Sequence, residues 1–539
     1  MDPSTSGRLR RIGIGAVLVA WAALAWSYVE RLDGRAQDDL YITYRYARNL
    51  AEGEGLVYNP GERVFGLSEP GVGLLLAGLH RLTGASIPHL GTLVFALSLL
   101  ALAVLLLAAA ARRSRAPEAL LGGSLLLGWS QVWVSHGAGA PLFLALLAAA
   151  ALLAERGLAG SGGPIDAGGV EDRGEAGSGP AGGAGGSSWK TAAGGAGLGA
   201  GLLAGLAVWV RPDAAAGLAL LALLLWRRSP RRSVAFAAAG LLAAGLGAGA
   251  AALYFGAVLP QTLEAKRTMV EAFLPGYGAA DFWRQALAVF RRHSGSGWWL
   301  LLGAGAVGSV PVWHRAGLPG RLLVLFAAAV AVAYSILEVG LFSWYLLPVE
   351  AALVYGFAYA AGGAGRWLAG RLPARAAVAR RAAALAAALA ICLPALLPLA
   401  RESRRWAERF AGFGRLNAYR DAGEWIRAST PEESSVAYLE IGVLGYHSRR
   451  PLLDLLGLVS PESLPYVASR DLLGALRARP TELVVSRPRS RMGPVVSSPW
   501  FQARYEEAAR FHPPRGRDWV AVYRRKPGTA EAEGNPRAP

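Results

Sequence analysis

Long apolar stretches recur through most of the first 400 residues, and no other feature limits the possible folds of this chain as strongly. A helix that crosses a bilayer needs about 20 consecutive, mostly apolar residues. Such stretches lie near residues 12–30, 88–111, 117–135, 138–154, 192–210, 213–226, 233–255, 296–313, 321–341, 344–361 and 382–400. With 53% of residues hydrophobic and only 17% charged, the expected fold is an all-α polytopic membrane domain of roughly eleven transmembrane helices. The formal net charge of +18 does not point to nucleic acid, because Lys and Arg fall in short clusters between the apolar stretches. The single cysteine, Cys392, lies inside one of those stretches, so there is no disulfide framework and no cysteine-based metal site. Arg8, Arg10 and Arg11 precede the first stretch in the manner of a signal peptide. Its length and the many later spans favour an uncleaved first helix.

A cytoplasmic N-terminus places Arg112, Arg113 and Arg115 on the cytoplasmic side, followed by residues 227–232, 314–321 and 366–381. The same bookkeeping leaves outside residues 31–87, the turn at 211–213, residues 256–295, everything after about 401, and tight turns near His136 and Ser343. The expected location is an inner or plasma membrane, crossed many times, and the chemistry belongs on the outer side. The membrane domain then covers residues 1–400, with a first outer loop at 31–87 and a Gly-, Ser- and Ala-rich flexible cytoplasmic linker at 156–190. Residues 401–526 change character. Residues 420–428 have a helical pattern, and 435–439, 483–486 and 519–523 read as strands, so a small extracytoplasmic α/β domain is expected. Residues 527–539 read as a disordered end.

Directly after the first span the chain reads Gln37-Asp38-Asp39-Leu40-Tyr41-Ile42-Thr43-Tyr44-Arg45-Tyr46-Ala47-Arg48. Adjacent carboxylates at a membrane boundary are costly unless they do something. Two like charges so close raise one pKa, which suits one of them to accept a proton near neutral pH. Alternatively, Asp38 and Asp39 simply start a helix at positions that favour Asp. Tyr41, Tyr44, Arg45 and Arg48 recur at helical spacing, as in an amphipathic helix lying on the membrane surface. Its cations suit a lipid phosphate, although snorkelling anchors have the same pattern.

The run from Asp38 to Glu62 resembles the first outer loop of the GT-C superfamily, multispanning glycosyltransferases that use polyprenyl-phosphate sugars. The nearest resemblance is to the branch with cell-wall arabinofuranosyltransferases and protein O-mannosyltransferase-like enzymes. Trp209-Val210-Arg211-Pro212-Asp213, Tyr254-Phe255-Gly256, Leu259-Pro260-Gln261-Thr262 with Lys266, Trp344-Tyr345-Leu346-Leu347-Pro348 and Gly442-Val443-Leu444-Gly445-Tyr446 are similar to further segments of that branch, in the same order. Two segments depart from it. Phe65-Gly66-Leu67-Ser68 stands where relatives have Glu-Gly-Tyr-Thr, and Gly137-Ala138-Gly139-Ala140-Pro141 where they often have Gly-Met-Glu-Thr. His136 beside the second could supply a polar contact, though a lone His near a helix end is more often structural.

The resemblance implies a GT-C type fold and an inverting sugar transfer at the outer face. A carboxylate, Asp38 or Asp39, would take the proton of an acceptor hydroxyl while lipid phosphate leaves. A departing anion near hydrocarbon needs fixed positive charge or a metal. Arg45, Arg211 and Lys266 are the candidates for the phosphate. Arg211 could equally be a snorkelling boundary residue, whereas Lys266 breaks the positive-inside pattern. Tyr345 and Trp344 would stack on a sugar or belong to an interfacial aromatic belt. Asp38 and Asp39 could also hold a hard divalent ion with the donor phosphate. The expected partners are a polyprenyl-phosphate sugar, a cell-envelope glycan, lipid or protein as acceptor, and the bilayer, with no nucleic acid. A transporter or flippase of envelope precursors is the competing class. It would show inverted repeats and polar residues at mid-membrane depth, and Glu338 and Glu350 are the main charged residues in or near the late spans. A third reading is an inactive scaffold that binds envelope partners through its tail domain.

Overall fold

The computed structural model describes residues 3–32, 35–159, 188–371, 414–513 and 519–528, without 135, 138, 338 and 339, together with scattered positions between 379 and 405. Each of the apolar stretches from 12–30 through 344–361 overlaps a helix. Five of these, Arg11–Leu32, Ile87–Ala111, Ala140–Ala159, Pro230–Phe255 and Gly317–Ile336, are long and apolar enough to cross a membrane. Gly195–Val210 and Ala214–Trp226 are shorter apolar helices. Cys392, Glu338, most of the 382–400 stretch and most of the linker and tail expected at 156–190 and 527–539 lie outside the described residues.

The helices pack through small residues, which let backbones approach where lipid removes the hydrophobic drive to associate. A Cβ on Gly308 would overlap the Gly356 carbonyl, and one on Gly305 would sit 2.6 Å from the Leu353 carbonyl. These contacts join the helices Trp298–Arg315 and Leu347–Ala369. Gly308→Ala is therefore expected to destabilise the bundle by about 1–3 kcal/mol or more, read as a lower midpoint of thermal unfolding in detergent. Large apolar side chains face outward elsewhere: Leu253 is 91% exposed and Val307 71%, an exposure that a bilayer accommodates. The basic clusters converge at one end of the bundle. There Arg113 pairs with Glu155, and Glu118 is held by Arg115 and Arg366.

The opposite end carries the α/β unit. Its five-stranded sheet has the order β2-β1-β3-β5-β4, from β1 (Val436–Tyr438), β2 (Leu452–Asp454), β3 (Leu483–Ser486), β4 (Tyr505–Phe511) and β5 (Val520–Arg525). β1 lies between β2 and β3 in parallel, while β3–β5 and β5–β4 are antiparallel. The strands β1, β2 and β3 are buried throughout, as a parallel core covered on both faces requires. β4 is an edge strand with mostly exposed residues and a bulge between Glu507 and Ala509, features that protect an open edge.

Between bundle and sheet lies the helix Asp38–Glu52. A position on the membrane surface is not what the structure shows. Residues from Leu40 to Asn49 are all buried, because the α/β unit covers the helix. Asn59 ties the units together by accepting from the Leu452 N–H at 3.0 Å and donating to the Leu452 carbonyl at 3.0 Å.

Candidate active site

Asp38 and Asp39 occupy the first turn of the helix Asp38–Glu52, and their carboxylates go separate ways. Asp38 faces the α/β unit, where its Oδ2 accepts from the Gly442 N–H at 3.0 Å and its Oδ1 from the Val443 N–H at 2.8 Å. Burial, reinforced by the charge of Glu440, pushes the Asp38 carboxyl up to about 7. With both oxygens held by backbone donors, Asp38 does not turn toward Asp39 to share a metal ion. Among the described residues no group of three or more His, Cys, Asp or Glu converges for one.

Asp39 faces the bundle. Its side chain is 34% exposed, and Oδ2 lies 4.0 Å from Lys266 Nζ. The two line a small cavity of about 30 Å3 with Thr43, Ser68, Glu69 and Thr262. Burial raises the Asp39 carboxyl above the usual carboxylate range, Lys266 pulls it back, and Glu440 adds to the rise.

The small cavity adjoins a larger one of about 420 Å3, and Ser68, Thr262, Lys266 and Trp344 line both. Lys266 projects from the helix Thr262–Phe273. Its ammonium lies 4.0 Å from the centre of the Phe342 ring and donates to Tyr345 Oη at 3.5 Å. Tyr345 stacks on Tyr334 with centroids 4.0 Å apart, and Tyr334 Oη donates to Asp213 Oδ2 at 3.1 Å.

Arg211, just past the helix Ser188–Val210, is buried and fully engaged. Its Nε and Nη2 donate to the two Asp213 oxygens at 3.1 Å each, and its Nη1 to Glu69 Oε1 at 3.1 Å. Glu69 Oε2 accepts from the Gly139 N–H at 2.8 Å. Gly139 stands at the third position of the segment where relatives often have Gly-Met-Glu-Thr, and here the carboxylate of Glu69 meets its backbone N–H. Burial pushes the Glu69 carboxyl up, against the pull of Arg211 and the Gly139 N–H.

The structure thus brings Asp39, Lys266, Tyr345 and Arg211 to one connected pair of cavities. Arg45 stays away from them. Its guanidinium donates to the carbonyls of Tyr58, Gly445 and Arg450 at 2.8, 2.8 and 2.7 Å and to Asn59 Oδ1 at 3.2 Å. It fastens the first loop to the α/β unit and leaves no face for a phosphate. His136 is likewise buried, with Nδ1 2.8 Å from the Trp133 carbonyl and Nε2 against that of Arg35.

Sequence reasoning passed over Glu69, Asp213, Tyr334 and Glu440. Glu69 had a signal, a lone carboxylate before Pro70 at the start of an apolar run, and Asp213 closes the Arg-Pro-Asp turn already singled out. Glu440 gave none, since its place near Asp38 depends on the docking of a sheet some 400 residues away in the chain.

A third cavity, of about 510 Å3, adjoins the one of about 420 Å3 across Pro212, Leu259 and Pro260. Its walls are apolar, with Leu56, Phe65, Leu74, Trp209, Ala251 and Phe255 among them.

Comparison with solved structures gives the fold. ArnT from Cupriavidus metallidurans bound to undecaprenyl phosphate is similar over 94% of this chain and 97% of its own, with a TM-score of 0.56 at 15% sequence identity. Its apo form gives 0.57, also at 15% identity, over 95% and 98%. The archaeal oligosaccharyltransferase AglB from Archaeoglobus fulgidus, in complex with an inhibitory peptide and a dolichol-phosphate, gives 0.52 at 12% identity over 87% of this chain and 69% of that one. The chain has the GT-C fold. Residues 410–523 match a family described as a domain of unknown function (DUF8728), and comparison with curated proteins returns no match.

Proposed function

We propose that this protein is a membrane glycosyltransferase that moves a sugar from a polyprenyl-phosphate donor to a cell-envelope acceptor, with inversion, on the extracytoplasmic face that carries the α/β unit. The observation that supports it most is the Asp39–Lys266 pair, 4.0 Å apart, at the junction of the small and large cavities. A carboxylate next to an ammonium, beside an apolar groove, offers a base, an anion partner and a place for a prenyl chain. The convergence of the basic clusters at the far end of the bundle supports a cytoplasmic N-terminus. The neighbouring ArnT structure holds undecaprenyl phosphate and that of AglB a dolichol-phosphate, which agrees with a lipid-phosphate carrier.

In this reading Asp39 takes the proton of an acceptor hydroxyl as its oxygen bonds to the sugar C1, and the C1–O bond to phosphate breaks. The electron pair of that bond leaves with the phosphate, whose charge Lys266 balances where screening by water is weak. Tyr345 and Trp344 offer aromatic faces to the sugar. Arg211 braces the wall through Asp213 and Glu69. Asp38 holds the α/β unit in register, and that unit positions the acceptor.

The test is transfer of radiolabelled sugar from a panel of polyprenyl-phosphate donors, in membranes holding matched amounts of wild type and variants. Transfer by wild type that is lost in Lys266→Ala supports the reading. Unchanged transfer by that variant would refute the role of Lys266. The pH profile gives an independent check, because Asp39 must be ionised to act and its carboxyl is held high. Activity therefore rises with pH through its pKa. Glu440 raises that pKa, so the acid limb of kcat/KM is expected to move to lower pH in Glu440→Gln.

A further inference from the structure

The cavity wall carries information about the sugar. This inference rests on reading the cavity as the donor site. Among the described residues that line the large cavity, Arg211 and Lys266 are the cations. Arg211 is matched by Asp213 along one edge, through Nε and Nη2, and by Glu69 through Nη1, and a fourth contact runs from Nη2 to Tyr334 Oη at 3.4 Å. With Glu69 ionised, the group of Arg211, Asp213 and Glu69 has one net negative charge; with Glu69 protonated it is neutral. In neither state does it leave a positive charge for a ligand. Lys266 remains, and it must neutralise the phosphate that departs.

We propose that the sugar carried to this site bears no anionic group, so that the donor presents one anionic group, its phosphate, and uronate sugars are rejected. A sugar carboxylate seated here would lose its water and find no cation, and a buried charge without a partner is strongly disfavoured. It would also face the Asp213 carboxylate, which is 21% exposed and borders the cavity. Neutral hydroxyls meet a better-suited wall. Asp213 accepts hydrogen bonds, and Ser68 and Thr262 accept or donate them. Rejection here works through an unmatched charge, a means of selectivity that adds no contact to the preferred substrate.

The test uses full-length protein in nanodiscs and competition against labelled undecaprenyl phosphate by two synthetic lipids, undecaprenyl-phosphate-linked glucose and undecaprenyl-phosphate-linked glucuronate. The glucose lipid is expected to compete at least about tenfold more strongly with wild type, a difference of one decade in affinity. Asp213→Asn removes the negative charge that faces Arg211 and the cavity, and Glu69→Gln is the second variant, whose single amide oxygen keeps one of the two hydrogen bonds, from Arg211 or from the Gly139 N–H. At least one of them is expected to bring the ratio within about threefold, mainly by improving glucuronate binding. Equal competition by the two lipids in wild type, with undecaprenyl phosphate itself bound, overturns the inference alone. So does a ratio left unchanged in both variants when each still binds undecaprenyl phosphate. Wild type that shows no saturable binding of undecaprenyl phosphate overturns the donor-site reading, and the inference with it.

Discussion

Asp39→Asn is expected to lower sugar transfer by about two to four orders of magnitude, the range that a positioned general base supplies, while Asp38→Asn at the same protein level lowers it by less than about tenfold. The contrast follows from where the two carboxylates face. Asp39 borders the cavity and pairs with Lys266. Asp38 points away and receives the Gly442 and Val443 N–H groups. Asparagine at 38 keeps one acceptor oxygen and turns an NH2 toward a backbone N–H, which loosens the junction without removing the base. Single-turnover transfer separates the outcomes, since loss of the base lowers the chemical step and leaves lipid-phosphate binding in place. If Asp38→Asn proves the more damaging and lipid binding survives it, the roles assigned to the two residues are reversed.

The second large effect is expected at Gly442. A Cβ there would overlap the Asp38 carbonyl and lie 2.9 Å from its carboxyl carbon. The Asp38 backbone is fixed by its own helix, so the α/β unit has to move. Gly442→Ala is expected to weaken its attachment by about 3 kcal/mol, the upper part of the usual range for overpacking. That is roughly a hundredfold in the open population, read as faster limited proteolysis between bundle and sheet. Transfer should fall in parallel, because the same unit covers the helix that carries Asp39. Gly493→Ala is the control. A Cβ at Gly493 meets nothing within 4 Å, and cleavage should match wild type. Equal cleavage in the two variants would refute the clasp.

Much of this architecture was legible because apolar length is a strong and local signal. The stretches at 88–111 and 233–255 match the helices Ile87–Ala111 and Pro230–Phe255 almost residue for residue. β1, β3 and β5 also fall where short apolar runs put them. The exposed edge strand β4 lacks an apolar face, so it did not announce itself.

The site was legible in part. Asp39, Lys266, Tyr345 and Arg211 do meet around connected cavities, but their ranking as phosphate ligands depends on partners that no spacing rule supplies. Arg45 and Arg211 look alike in sequence, as cations beside aromatics at a boundary. One is consumed by carbonyls of the α/β unit and the other by Asp213 and Glu69. Helical spacing grouped Tyr41, Tyr44, Arg45 and Arg48 on the helix Asp38–Glu52 but not its burial from Leu40 to Asn49, because that cover comes from the far end of the chain.

The same distance in sequence sets an order of events during synthesis. Arg45 is inserted 400 residues before Gly445, whose carbonyl it needs, and Asn59 waits 393 residues for Leu452. Until the last part of the chain has been made, the loop bearing Asp39 holds a buried-type guanidinium and amide without their partners, a state that native structures rarely tolerate. The loop therefore completes its fold after the bundle, when the sheet arrives to close it. Nascent or truncated chains that end before β2 should hold a bundle with an unfinished centre, exposed to proteases.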